Sequence, residues 1–265
     1  MTEVKAAIRT VELFELFART GRPLRLLEMA EQLELPQSSC FGLVRTLHGR
    51  GYLYELAPRG GYYPSRRMLD QMQAIAAADP LVTRVMRHLE SARDDSGETV
   101  VLAKMQGAGV VYLALAESPQ TIRYSSSVGT RKPLHSTSVG KALLSRLPPS
   151  ARRRIIGEAK LEGFTERTIT DPEALEKEIE RSAARGWFSS GGESIDDVGA
   201  VAVPVRLMGD WYAIAIAGPV DRIRRHLQGH VDRLDALRAE LATLDTGIGT
   251  PVADRGLSLP REEGT

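Results

Sequence analysis

The chain predicts a mixed α/β (α+β) fold in two parts, a helical head with a hairpin and a larger body built on a mainly antiparallel sheet. Three observations carry this expectation. Between Leu26 and Ser65, two short amphipathic stretches are separated by Glu34-Leu35-Pro36-Gln37 and followed by two β-leaning runs joined by Pro58-Arg59-Gly60-Gly61. Helix, turn, helix and hairpin in that order make a winged helix-turn-helix. Beyond the helix-breaking pair Asp79-Pro80, strand-like runs with a period of two are joined by short turns, with helices in the longer connections.

In the head, Val4 to Ala18 is predicted helical, with Val4, Ile8, Val11, Phe14 and Phe17 turned inward. Leu26, Met29, Ala30 and Leu33 share one stripe of the next helix, and Glu28, Glu31 and Gln32 the opposite side. Pro36 suits the first turn of the following helix, with Ser38 and Ser39 as helix-start residues. Cys40, Leu43, Val44 and Leu47 form its core stripe, and Gly51 is the stop before Tyr52, Leu53 and Tyr54 open the wing. Arg66 to Ala78 then reads as a helix whose Met68, Leu69, Met72 and Ile75 make an apolar face suited to a second subunit.

The second helix of the motif leaves Ser38, Ser39, Gly42, Arg45, Thr46 and Gly49 outward, small, polar or cationic residues that let a helix approach base edges and phosphates. The whole chain is near neutral at +1. From Pro36 to Arg67, however, Arg45, Arg50, Arg59, Arg66 and Arg67 face only Glu55, whereas Leu26 to Leu35 carries three glutamates and no cation. That polarity fits a DNA reader. The competing reading is a solvated helix pair in an all-α domain, which does not call for an immediate Gly-rich hairpin.

With 265 residues, 42% hydrophobic and 26% charged, the composition is that of an ordinary soluble protein with room for two domains. No apolar run approaches the roughly 20 residues of a membrane span, and the N-terminus has no signal-peptide pattern. The single Cys40 excludes an internal disulfide and fits a reducing cytoplasm. Its place on the core stripe makes it a buried structural thiol rather than a redox switch.

In the body, helices are expected at Leu81 to Ser91, Ser138 to Leu147, Ala174 to Arg185 and Asp221 to Leu244. Strands are expected at 98–104, 110–116, 121–125, 187–189, 200–207 and 211–217. Tyr212, Ile214 and Ile216 alternate with Ala213, Ala215 and Ala217, and Val201, Val203 and Val205 with Ala200, Ala202 and Pro204. One face of this sheet is therefore lined by small residues, which leaves room for a packed helix or for a ligand. Ser136-Thr137-Ser138-Val139-Gly140 adds hydroxyls and amides at a helix start, where a carboxylate or simple capping would account for them.

Several longer motifs carry a family resemblance: GETVVLAKMQGAGVVYLALAESPQTIRY (97–124), VGTRKPLHSTSVGKALLSRLP (128–148), FTERTITDPEAL (164–175), and VAVPV with IAIAGP (201–205 and 214–219). From about residue 5 to 245 the chain resembles the isocitrate lyase regulator (IclR) family of bacterial transcription factors. Residues 247–265, with several Gly and Pro and few apolar residues, read as a tail without fixed structure. The resemblance implies a GAF-like effector domain at 79–246, beside the winged helix-turn-helix read at 1–65 and the linker helix at 66–78. It also implies dimers or tetramers whose binding to double-stranded operator DNA is modulated by a small organic acid or aromatic effector, with repression relieved by ligand as the default. Relatives often carry a basic residue where Gly42 stands, so base readout would rest on Gln37, Ser39, Phe41 and Arg45, with Ser38, Thr46 and Arg59 beside them. Asp197 stands where relatives tend to place Gly. The effector positions would be Ser138, Val139, Gly140, Ser190, Ala200, Ala215 and Ala217. The last four offer few hydrogen-bonding groups, which predicts a larger or more apolar effector than a tiny oxo-acid.

Rival chemistry is poorly supported. His135 beside Ser136, with Asp196 and Asp197, could be written as a hydrolase triad, but there is no G-x-S-x-G elbow. His226 and His230 lie four apart among arginines with no Glu between, a poor zinc pattern. No nucleotide motif appears, so no cofactor, metal or catalytic residue is expected. An interaction protein that uses its helix-turn-helix on another protein is the remaining alternative.

Overall fold

The computed structural model describes residues 4–56, 60–79 and 81–245. The chain divides into two units, Met1–Asp79 and Pro80–Thr265.

In the first unit, α1 (Lys5–Thr20), α2 (Leu26–Gln32) and α3 (Gln37–Gly49) enclose one core with the hairpin β1 (Leu53–Glu55) and β2 (Tyr62–Pro64), and α4 (Arg66–Ala77) follows. Leu13, Leu16, Phe17, Leu24, Met29, Cys40, Val44 and Leu53 form that core. Each fully buried Leu or Met contributes roughly 1.5–3 kcal/mol of transfer free energy. Leu24 and Tyr62 exchange backbone hydrogen bonds of 3.0 and 2.8 Å, which ties the α1–α2 connection to the wing as a third short strand. That approach explains Gly61 (φ 99°), where a β-carbon would come within 2.9 Å of the Leu24 carbonyl oxygen.

Two details differ from expectation. Val4, Ile8 and Val11 are exposed, and α1 buries Leu13, Leu16 and Phe17 instead. A helix of 16 residues outreaches the seven-residue α2, so only its C-terminal half has a core to face. Pro36 is the N-cap of α3 rather than a first-turn residue, and Gly51 adopts the left-handed stop at φ 75°. Arg59 and its neighbours in the wing turn, and the tail at 247–265, lie outside the described residues.

In the second unit a six-stranded antiparallel sheet runs in the order β5-β4-β3-β8-β7-β6. Its strands are β3 (Thr99–Gln106), β4 (Gly109–Ala116), β5 (Arg131–Pro133), β6 (Phe188–Gly191), β7 (Val198–Leu207) and β8 (Asp210–Pro219). Helices α5 (Val82–Ser96), α9 (Val220–Arg225) and α10 (Leu227–Asp245) cover one face, where Val201, Val203, Val205, Ile214 and Ile216 are buried. Helices α6 (Ser138–Leu144), α7 (Pro149–Glu158) and α8 (Pro172–Arg185) cover the other, where Ala202, Ala213, Ala215 and Ala217 lie. The alternation read in β7 and β8 is therefore the division of the body into two cores.

The strand expected at 121–125 is absent. That stretch is an irregular strap, with Tyr124 O accepting from Thr99 Oγ1 (2.6 Å) and Ile122 O from Arg222 Nη2 (2.9 Å). Side-chain donors satisfy its carbonyls, and β5 takes the place beside β4. The helix expected to end at Ser91 runs to Ser96 and stops at Gly97 (φ 71°). The single helix expected over 221–244 is two, broken at His226.

Helix α6 approaches the preceding chain so closely that a β-carbon at Gly140 would overlap the Leu134 backbone. Gly140→Ala is expected to destabilise the protein by about 1–3 kcal/mol, as overpacking against rigid backbone does. Gly42→Ala, which meets nothing within 4 Å, is expected to be neutral or to stabilise α3 by up to about 1 kcal/mol. Urea unfolding of the two variants checks both signs.

Candidate functional sites

Helix α3 presents Gln37, Ser38, Ser39, Phe41, Gly42, Arg45 and Thr46 to solvent, while Cys40, Val44 and Leu47 hold it to the core. Burial raises the Cys40 thiol pKa, so the thiol stays protonated. Phe41 is 50% exposed, an aromatic face on an otherwise small and polar surface. Thr46 Oγ1 is turned back to the Gly42 carbonyl (2.8 Å). Arg45 and Arg50 have no ion-pair partner among the described residues, so both guanidinium groups are available to an anion. Acidic Glu28, by contrast, is engaged on α2: it accepts from Arg25 N (2.8 Å) and Arg22 Nη2 (3.0 Å), and these bonds lower its pKa.

The body holds a pocket of about 40 Å³ on the alanine face of the sheet. Since one water needs roughly 10–15 Å³ on this scale, the pocket takes a group of a few heavy atoms as it stands. Ser138, Val139, Ser190, Ala200, Ala215 and Ala217 line it together. Gly140 does not: its N–H is the donor to the Thr137 cap (3.2 Å) and its α-carbon abuts Leu134.

The pocket also has a polar wall that the sequence motifs do not mark. Tyr112, Tyr124, Lys132, Thr137 and Ser194 also line it, together with Val101, Ile195 and Val198. The two phenols lie 3.2 Å apart, and burial pushes the Tyr112 phenol well above its ordinary range, with Tyr124 adding to the effect. Lys132 has no ion-pair partner among the described residues. The pocket is thus richer in hydrogen-bonding groups than its four β-strand positions predict.

The loop 191–197 that supplies Ser194 and Ile195 is held at several points. Ser194 Oγ donates to Ser136 O (2.7 Å), and Thr168 Oγ1 donates to Glu193 O (2.6 Å). Beneath it lies a buried ion pair, Lys141 Nζ to Glu193 Oε1 at 2.6 Å, with side chains 1% and 11% exposed. Lys141 Nζ also donates to Ser189 O (3.1 Å), whereas Glu193 Oε2 is sealed without a partner. Desolvation raises the Glu193 pKa against the opposing pull of Lys141.

The hydrolase arrangement does not assemble. His135 Nε2 donates to the Glu162 carbonyl (2.9 Å) and its ring stacks on Phe164, while Ser136 Oγ accepts from Ser194. His226 and His230 meet edge to face at 6.2 Å, and no group of three metal-ligating side chains occurs among the described residues. No helix among the described residues is long and apolar enough to cross a membrane.

Comparison with known proteins adds an independent line. The model described as bacterial transcriptional regulator IclR C-terminal matches residues 66–242, and that of the IclR helix-turn-helix domain matches residues 6–57. The HTH-type transcriptional regulator BhcR of Paracoccus denitrificans is 30% identical over 222 residues, covering 83% of this chain and 79% of that protein. The glycerol operon regulatory protein of Streptomyces coelicolor is 27% identical over 250 residues, 93% and 98% of the two chains. An IclR homologue of Microbacterium hydrocarbonoxydans, solved as a complex with 4-hydroxybenzoate, shares the fold at a TM-score of 0.70 and 20% identity, covering 90% of this chain and all of that one (100%).

Removing Lys141 alone leaves a carboxylate buried without a partner, which costs about 3–5 kcal/mol. Lys141→Met is expected to lose that much stability in chemical unfolding, and Lys141→Met with Glu193→Leu to recover most of it. A single variant as stable as the parent would show that water reaches Glu193.

Proposed function

The chain belongs to the IclR family of bacterial transcriptional regulators, and from that premise we propose how its own residues do the work. It is a DNA-binding regulator with a small-molecule-binding C-terminal domain. In our reading α3 lies in the major groove, with Gln37, Ser39, Phe41 and Arg45 toward base edges and Ser38, Gly42 and Thr46 allowing close approach. Arg50 and Arg59 serve phosphates. The regulator acts as a repressor that effector releases, in the cytoplasm where its operator lies, and it turns over no substrate.

The effector we assign is a compact monocarboxylic acid with a small apolar body. The observation that carries this is Lys132, a cation in the pocket lining with no ion-pair partner among the described residues, in a pocket to which Tyr124 and Ser138 add hydroxyls and Val101, Ala215 and Ala217 apolar surface. A carboxylate supplies the missing charge and accepts from the hydroxyls, and the alanine face receives the remainder of the molecule.

We also read the protein as a dimer at least. Leu69, Met72 and Ile75 form an exposed apolar stripe on α4, and Val4, Ile8 and Val11 another on α1. Stripes of this kind are covered by a second copy in a two-fold operator complex.

Fluorescence anisotropy on duplexes from upstream of the protein's own gene tests the first part. Arg45→Ala should weaken binding at least about fivefold and, if Arg45 meets a phosphate, lower the salt slope by about one. Indifference to every duplex would overturn the reading. A thermal-shift screen of carboxylic acids tests the second: a hit should be lost in Lys132→Met and in Ala215→Leu, which fills the alanine face. By linkage, that acid must change DNA affinity by the factor by which DNA changes its own. Light scattering tests the third, with Leu69→Glu/Ile75→Glu expected to shift the protein toward monomer; an unchanged mass would put the interface elsewhere.

A further inference from the structure

A second cavity in the body, of about 310 Å³, shares no residue with the effector pocket. It sits among α6, α7, α8 and the end of β5, at the lower end of the ~300–1,000 Å³ range of ligand sites. Its walls are apolar: Leu144, Ile155, Ile156, Leu161 and Phe164. Its charged lining residues, Glu158, Lys160 and Glu162, carry an acidic excess that disfavours an anion.

The buried polar side chain of this cavity is His135, since Glu158, Lys160 and Glu162 are exposed at its rim. It lines the space and is 4% exposed. Because Nε2 faces the Glu162 carbonyl, a pure acceptor, Nε2 must carry the ring proton. The neutral ring then presents Nδ1 as a lone-pair acceptor, and Nδ1 has no hydrogen-bond partner among the described residues. The side-chain atoms there that are both sealed and unpaired belong to Glu193, His230 and Arg233. Nδ1 is therefore unpaired but not sealed, and the open space that His135 lines is the cavity. An acceptor on an apolar wall is complemented by a donor on an apolar body.

We propose that this cavity is a second ligand site, for a neutral hydroxylated hydrophobe such as a phenol, whose hydroxyl donates to His135 Nδ1. The ring of the ligand occupies the space beside Phe164 and Leu161. The site takes the opposite chemistry to the Lys132 pocket, so the same chain distinguishes neutral alcohols from acids.

The test uses the full chain with labelled Ile and Leu methyl groups, and phenol against anisole, which keeps the ring and loses the donor. Phenol is expected to shift the Ile155, Ile156 and Leu161 methyls saturably, with anisole at least about fivefold weaker. His135→Phe should erase that preference, Leu161→Trp should abolish both titrations, and Ala215→Leu should leave them unchanged. The proposal is overturned if phenol causes no saturable shift at those methyls or binds no better than anisole. It is equally overturned if binding survives Leu161→Trp and is lost in Ala215→Leu, since phenol would then occupy the effector pocket. None of these outcomes depends on DNA binding or on an acid effector.

Discussion

The body of this protein depends on the pairing of β7 with β8. Their ten-residue register runs unbroken from Val198 opposite Pro219 to Leu207 opposite Asp210. With a side-chain period of two, that register sends Val201, Val203, Val205, Ile214 and Ile216 to one face and every alanine of the pair, with Val198 at the strand's start, to the other. The large-residue face buries α5 and α10 against it. The alanine face gives up volume, and that volume is what α6 and the effector pocket share. A slip of one residue would exchange the faces, which places the pocket under the same constraint as the core.

This alternation was legible because nothing interrupts it. The neighbouring pair shows where such reading stops. Strand β3 pairs with β4 from Val100 opposite Ala116 to Leu102 opposite Ala114, and then Ala103 opposes Tyr112, leaving Leu113 as an extra residue. A bulge of this kind reverses the phase of everything beyond it. Counted by twos, Tyr112 belongs with Ala114 and Ala116, which are buried on the valine face. Past the bulge it lies instead with Ala103 and Val110 on the pocket face. No residue pattern in GVVYLALA announces the shift, because every residue in it is compatible with a strand. Tyr124 and Lys132 were hidden for another reason. One sits on an irregular strap fixed by Thr99 and Arg222, the other on a three-residue edge strand, and neither has a periodicity to read.

In the head, the order of elements and the inner face of α3 followed from local residues, since helix caps, stripes and turns act over a few positions. Exposed stripes on α1 and α4 did not resolve so simply. Val4, Ile8 and Val11 share a helical spacing with buried Phe17, and spacing alone cannot tell a face that meets its own core from one that meets another chain. The motif residues near 138–140 illustrate the same ambiguity in the body. Ser138 and Val139 reach the pocket, while the adjacent Gly140 is demanded by backbone contact with Leu134.

The charge pattern also constrains how such a protein can be regulated. A chain with a formal charge of +1 has no general attraction for DNA, so its affinity rests on the few arginines of the head. One head making a handful of phosphate contacts binds weakly at physiological salt. Two heads held together convert the second contact into an intramolecular one and multiply affinity by as much as 10²–10⁴ without a new contact. In that regime the effector need not dismantle α3 or block it. A coupling free energy of about 1–3 kcal/mol, which one carboxylate can supply through differential binding to two states, is enough to change operator affinity five- to 150-fold. On the function proposed above, a weak head is what would let a pocket of a few heavy atoms control the operator.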